Sequence, residues 1–165
     1  MAWSIFEKYT ERARKVIFIA RLRAGQRGAK AIEIGDLLAA IVIEDQGGFK
    51  GVATGLYGDI ARVFDSPQNA FFSKESANAI LSKLEEGLPR SLPVPQQLDM
   101  PLDDGSKRLL TEAARLADGL KHSKIGPLHL LAAALAEGSG DAARIFADAG
   151  ITREMVMAAL GEGKP

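Results

Sequence analysis

"KHSKIGPLHLLAAAL" (Lys121 to Leu135) holds both histidines of the chain, His122 and His129, on either side of a Gly-Pro. Either they are a chemical site or they belong to a turn between helices. A zinc site needs three or four ligands, and histidine pairs on one helix sit at i, i+4. Here the spacing is seven, it crosses a proline, and no third ligand is near in sequence. A general base needs an oriented partner, and the stretch names none. The structural reading puts His122 at a helix exit, bonding a backbone carbonyl or facing the dipole of the last turn. It puts His129 in the first turn of the next helix, which Pro127 opens, because proline is tolerated where no donor is needed.

Hydrophobic residues make up 47% and charged residues 25%, so the chain reads as globular. The 165 residues give room for one full domain or two small similar units. Lys+Arg and Asp+Glu both number 21, so the net charge is zero. A dedicated nucleic-acid binder normally carries a basic excess. There is no cysteine, which removes disulfides, thiolate metal sites and thiol nucleophiles. "MAWSIFEKYTERARK" carries acids and no clean apolar stretch, so it does not read as a signal peptide. The longest apolar run, "LLAAIVI" (Leu37 to Ile43), is too short to span a bilayer. A cytoplasmic protein without membrane contact is the expectation.

Apolar spacing predicts helices throughout. The first is expected over Ile5 to about Arg27, with a Ser4/Glu7 capping box or, alternatively, Thr10 as the cap. The basic residues Arg12, Arg14, Lys15, Arg21, Arg23 and Arg27 around it read as a solvated face. Further helices are predicted over 35–44, 73–86, 105–120, 127–137, 141–149 and 152–160. "QGGFKGVATGLYGD" (Gln46 to Asp59) is glycine-rich and mixes turns with a short helix, and Asp59 to Phe64 adds a turn or two. "GLPRSLPVPQQLDMPL" (Gly87 to Leu102) carries four prolines. Each removes a donor and extends its predecessor, so this segment is a linker between halves of similar size.

The halves repeat. An offset of 93 residues aligns Ala13–Asp45 with the second half without a gap. Ala20 meets Ala113, Ala24 meets Ala117, Ile32 meets Ile125, and "LLAA" at Leu37 meets "LLAA" at Leu130. Helices drift into similar patterns by chance, but an identical loop length between them does not follow from that. A tandem helical repeat is the reading. The first-half stretch is "AKAIEIGDLLAAIVI" (Ala29 to Ile43), which keeps the isoleucine and the leucine pair and lacks both histidines. What persists is packing.

Three stretches also resemble a known family. "YTERARKVIFIARLRA" (Tyr9 to Ala24) looks like the opening of the Clp N-terminal domain. "LKHSKIGPLHLLAAAL" (Leu120 to Leu135) is similar to its repeat signature, and "DAARIFADAGI" (Asp141 to Ile151) to its alanine-rich helix ending in Gly-Ile. The resemblance implies an all-α, pseudo-twofold tandem repeat of two four-helix units. The first repeat would span about 5–87, the linker 88–102 and the second repeat 103–161. It further implies a non-catalytic module that binds substrate or adaptor proteins and serves an AAA+ Clp ATPase. No cofactor and no nucleic acid are implied. The ATPase module itself is not expected in this chain. "DDGSKR" (Asp103 to Arg108) has the phosphate-loop residues in the wrong order, and the glycines of 47–58 lack the lysine. A stand-alone helical regulator, possibly DNA-binding through a helix-turn-helix, is the alternative, and neutral charge speaks against it.

The resemblance also nominates contacts. Thr10 matches a helix-start threonine that touches bound peptide in some relatives, although threonine is equally a common N-cap. Some members bind phosphoarginine through an acid just before the histidine of each repeat. Here those places hold Gly35 and Leu128. Neither can pair with a guanidinium, so that activity is not carried over. Glu33 could substitute only if its loop were rearranged. Phe71 and Phe72, in "DSPQNAFFSK" (Asp65 to Lys74), are core residues or, if exposed, a patch suited to unfolded clients.

Overall fold

The computed structural model describes residues 7–49, 70–87, 100–136 and 141–161. Among these residues the chain is all-helical, in seven helices: α1 (Glu11–Gln26), α2 (Ile34–Asp45), α3 (Lys74–Gly87), α4 (Asp104–Gly119), α5 (Pro127–Ala136), α6 (Asp141–Asp148) and α7 (Arg153–Gly161). The helical readings of 50–69 and most of the proline-rich linker lie outside the described residues.

The first helix starts later than its apolar pattern suggests. Thr10 is the N-cap of α1, and its hydroxyl accepts from the Ala13 N–H (3.1 Å). Glu7 and Lys8 form a turn and Tyr9 a β-bridge to Ile125, for a tertiary reason. Thr10 N–H donates to the Ile125 carbonyl (2.9 Å), and Ile125 N–H donates to the Lys8 carbonyl (2.8 Å). The Thr10 amide and the Lys8 carbonyl thus find their partners across the molecule.

The same arrangement recurs 93 residues on. Asp103 caps α4 by accepting from Ser106 N–H (2.7 Å). Asp103 N–H donates to the Ile32 carbonyl (2.9 Å), and Ile32 N–H donates to the Pro101 carbonyl (2.8 Å). The entry segment of each half therefore pairs with the inter-helix loop of the other. This reciprocity is what a twofold relation requires. The helix exits repeat as well. Gly28 (φ 81°) and Lys121 (φ 61°) both take the left-handed conformation that ends a helix. The Ala29 and His122 amides then return to the carbonyls of Ala24 (2.8 Å) and Ala117 (2.9 Å).

The core forms where the halves meet. α2 and α5 pack against each other, and each is also covered by the first helix of both halves. They are apolar on all sides, as central helices must be: Leu37 to Ile43 and Leu130 to Ala133 are buried throughout. α3 lies against α2 and α7 against α5, while α6 bridges α3 and α5. Phe72 and Phe146 meet at this bridge, with ring centroids 6.0 Å apart.

The basic residues of α1 are not simply a solvated face. Arg12 donates to Glu44 on α2 (Nη2, 2.8 Å), Arg23 pairs with Glu85 on α3, and Arg27 pairs with Asp36 on α2 (2.7 Å). Arg27 is buried together with the Asp36 carboxylate. Sequence spacing along one helix does not reveal partners that arrive from other helices.

Candidate functional site

His122 and His129 touch each other. His122 Nδ1 lies 2.9 Å from His129 Nε2, with the rings edge to face at 75°. His122 does not bond a backbone carbonyl, as expected from its place at the helix exit; its partner is the other histidine. The Gly126 N–H donates to His129 Nδ1 (2.9 Å). That amide can only donate, so Nδ1 accepts and the proton of the neutral ring sits on Nε2. His129 Nε2–H then donates to His122 Nδ1. The two nitrogens that face each other are thus spent on one bond. A ligating Nε2 would need its lone pair, and the Gly126 amide keeps a proton there instead. Among the described residues, no group of three or more His, Cys, Asp or Glu is placed to hold a metal.

His129 is fully buried. Burial, with the neighbouring His122 adding in the same sense, pushes its imidazole down to about 4. A protonated His129 would also aim a second N–H at the Gly126 amide. The pair is a neutral structural tie between the loop and the first turn of α5.

The first half ties the same place with charge. Asp36, the counterpart of His129, accepts from the Glu33 N–H (3.0 Å) as His129 accepts from Gly126. Arg27 Nε and Nη2 donate to its two oxygens at 2.8 and 2.7 Å. The hydrogen bond to Asp36 pushes the Arg27 guanidinium above its ordinary value, against the opposing effect of burial. Glu33 adds a second carboxylate to Arg27 at 3.1 Å. It is thereby engaged within its own loop.

The nominated contact residues occupy helix starts and the segment before α3. Thr10 is a half-buried helix cap. Gly35 and Leu128 are half-buried in the first turns of α2 and α5. Phe72 is in the core, at 2% exposure. Phe71 is half-buried and packs edge to face on Phe72, centroids 5.1 Å apart. Asp45 holds both amides, at 2.8 and 3.0 Å. The two phenylalanines therefore form no joint exposed patch.

A concave feature among the described residues lies on the second half. A groove of about 390 Å³ runs over α4 and α5 to the start of α7. Leu116, Leu120 and Ala133 give it an apolar floor, and Glu112, Arg115 and Arg153 give it a charged rim. Arg115 pairs with Glu112. Arg153 reaches the Ala132 carbonyl through Nε (3.4 Å). Motif reasoning missed this site. Its signal lay in the repeat alignment: the places of Glu112 and Arg115 hold Ile19 and Leu22 in the first half, where both are buried.

Residues 102–162 match the model of the Clp repeat (R) N-terminal domain. No curated protein sequence matches the chain. Solved structures match nearly all of it. The N-terminal domain of the chaperone ClpD from Arabidopsis thaliana is 20% identical with TM-score 0.64, covering 96% of this chain and 99% of that one. A structure from investigations of a malarial protein secretion system is 19% identical with TM-score 0.66, covering 94% and 93%. The Hsp104 N-terminal domain from Candida albicans is 20% identical with TM-score 0.60, covering 92% and 87%. Residues 102–162 thus carry a Clp repeat, and the chain as a whole has the fold of Clp/Hsp100 N-terminal domains.

Proposed function

We propose that this chain is a non-catalytic protein-binding module that recruits substrate proteins or adaptors to a Clp/Hsp100 AAA+ unfoldase or protease in the cytoplasm. Its single carrying observation is the Clp repeat at 102–162 within a fold shared, end to end, with N-terminal domains of such chaperones. Two repeats, about 5–87 and 103–161 joined by the linker 88–102, would act as one body. The reciprocal backbone pairing of the halves supports this, because separating them would break four backbone hydrogen bonds. The histidines support a non-catalytic role. Their facing nitrogens are spent on each other and offer no base to a substrate. Among the described residues, no helix is long and apolar enough to cross a membrane.

The test is capture of a permanently unfolded protein, such as reduced carboxymethylated α-lactalbumin, by the immobilised chain. A second arm fuses the chain to a Clp ATPase lacking its own N-domain and follows degradation or unfolding of the same client. Saturable capture and faster client processing by the fusion are expected. Absence of both would end the reading.

A further inference from the structure

The halves clasp each other through two peptide units, and the two units are held differently. The Ile32–Glu33 peptide offers its carbonyl to the Asp103 N–H (2.9 Å) and its N–H to the Asp36 carboxylate (3.0 Å). The Ile125–Gly126 peptide offers its carbonyl to the Thr10 N–H (2.9 Å) and its N–H to His129 Nδ1 (2.9 Å). In each, the peptide plane that reaches the opposite half is oriented by the third residue of the following helix. The first unit has further support. The Ser106 hydroxyl also donates to the Ile32 carbonyl (2.9 Å), whereas Ala13 at the equivalent place has no hydroxyl. Arg27 fixes Asp36 with two bonds. His129 is fixed in turn by His122, across 2.9 Å.

The second unit has no place for an added proton. Two neutral imidazoles share four ring nitrogens and two protons. The Gly126 N–H requires a lone pair on His129 Nδ1. One proton lies between His129 Nε2 and His122 Nδ1, and the other is on His122 Nε2. A third proton on His129 Nδ1 would meet the Gly126 N–H. Between the rings it would set two N–H groups against each other. Either place costs the loop one of its bonds to α5.

The surroundings do not offset such a charge. His129 is the one titratable residue of α5, and the charge that acts on it is that of His122. On α4, Glu112 is paired with Arg115 and Asp118 is exposed. Lys121 and Lys124 of the loop are exposed, as are Glu7 and Lys8 of the entry segment and Glu11 and Arg14 of α1. On α2, Asp36 and Glu44 are engaged by Arg27 and Arg12. Asp141, Arg144 and Asp148 of α6 are exposed, and Arg153 of α7 is turned to the Ala132 carbonyl.

We infer that the Ile125–Gly126 unit is an acid-sensitive latch: a proton added to the histidine pair releases the loop 122–126 from Lys8–Thr10, while the Ile32–Glu33 unit stays closed. The halves then remain joined by their core and the first unit, with the start of α1 freed. Burial holds the His129 imidazole near 4 in the closed latch, against about 6.5 in an open loop. The closed form is therefore complete above about pH 6.5 and weakens as the pH falls. Between about pH 7 and pH 5.5, above the ordinary carboxylate range, the open fraction should rise about eightfold.

Amide hydrogen exchange of the full 165-residue chain, corrected for the intrinsic effect of pH, tests this at those two pH values. Protection at Thr10 and Ile125 should fall about eightfold, while Ile32 and Asp103 change by less than about twofold. His129→Asn supplies a side chain of the shape of Asp36, which accepts from the loop amide in the first half, and it should remove the fall at Thr10 and Ile125. Equal changes at all four amides would mark general loosening and overturn the inference. So would no change at Thr10 and Ile125, or a fall that persists in the His129→Asn protein. If that variant does not fold, the contrast between the two pairs of amides in the unaltered chain decides alone.

Discussion

At the inter-helix loop of the first half, Arg27 and Asp36 form a buried ion pair; at the equivalent loop of the second half, His129 and His122 form a neutral hydrogen-bonded pair. Both loops follow the same backbone path and present the same isoleucine to the opposite half. In both, the third residue of the following helix accepts from the backbone amide of its cap. The backbone geometry thus asks for an acceptor at that step and for a partner to satisfy what remains. It is indifferent to whether the solution is charged. The difference teaches that one fold requirement can be met by interactions with opposite responses to mutation and to pH.

The largest expected effect comes from breaking the charged solution. Asp36→Ala leaves a buried guanidinium without its main partner, and unfolding by urea should show a loss of about 3–5 kcal/mol. A loss below 1 kcal/mol would mean that Glu33, already on Arg27, can take over the role.

The neutral solution should respond to pH. His129 titrates near pH 4 when folded and near 6.5 when unfolded. Between those values the unfolded chain binds a proton that the folded chain does not. Stability from this group is therefore complete above about pH 6.5, falls as the pH drops, and is gone by about pH 4, a total of about 3 kcal/mol. His129→Asn keeps an oxygen for the Gly126 amide and cannot titrate. The difference in stability between the two proteins should slope across that window and be flat above it. A parallel pair of curves would break the comparison.

A smaller effect concerns the loop exits. Gly28 adopts its positive φ freely, whereas Lys121 does so at a steric cost. Lys121→Gly should raise stability by about 0.5–1 kcal/mol, after the entropy of the unfolded glycine is subtracted. The smallest effect is expected at the edge. Arg12 is half exposed and holds Glu44 across α1 and α2. Arg12→Ala should cost about 0.5 kcal/mol, and less in high salt.

Much of this fold is legible in residue spacing. The constant offset of 93 predicts that equivalent helices start in step, and they do: Glu11 with Asp104, and Ile34 with Pro127. Caps are local, so Thr10, Ser73 and Thr152 can be read from the chain. The start of α1 could be placed too early because its pattern of apolar residues does not record that Lys8 to Thr10 pair with Ile125. Nor does a helix's own sequence show that Arg23 and Arg27 meet carboxylates from two other helices. The groove was legible only by setting one half against the other, because its signal is a change from apolar to charged at equivalent places, not a motif.

The sequence by itself determined the helices, their caps and the repeat, since these depend on side-chain period and on bonds within a few residues. Only the tertiary structure decided that the halves clasp each other through Tyr9–Ile125 and Ile32–Leu102. It alone decided that the two histidines are each other's partner, and that a groove lies over α4 and α5. These outcomes depend on distances between residues far apart along the chain, which are set by packing the central helices into one core.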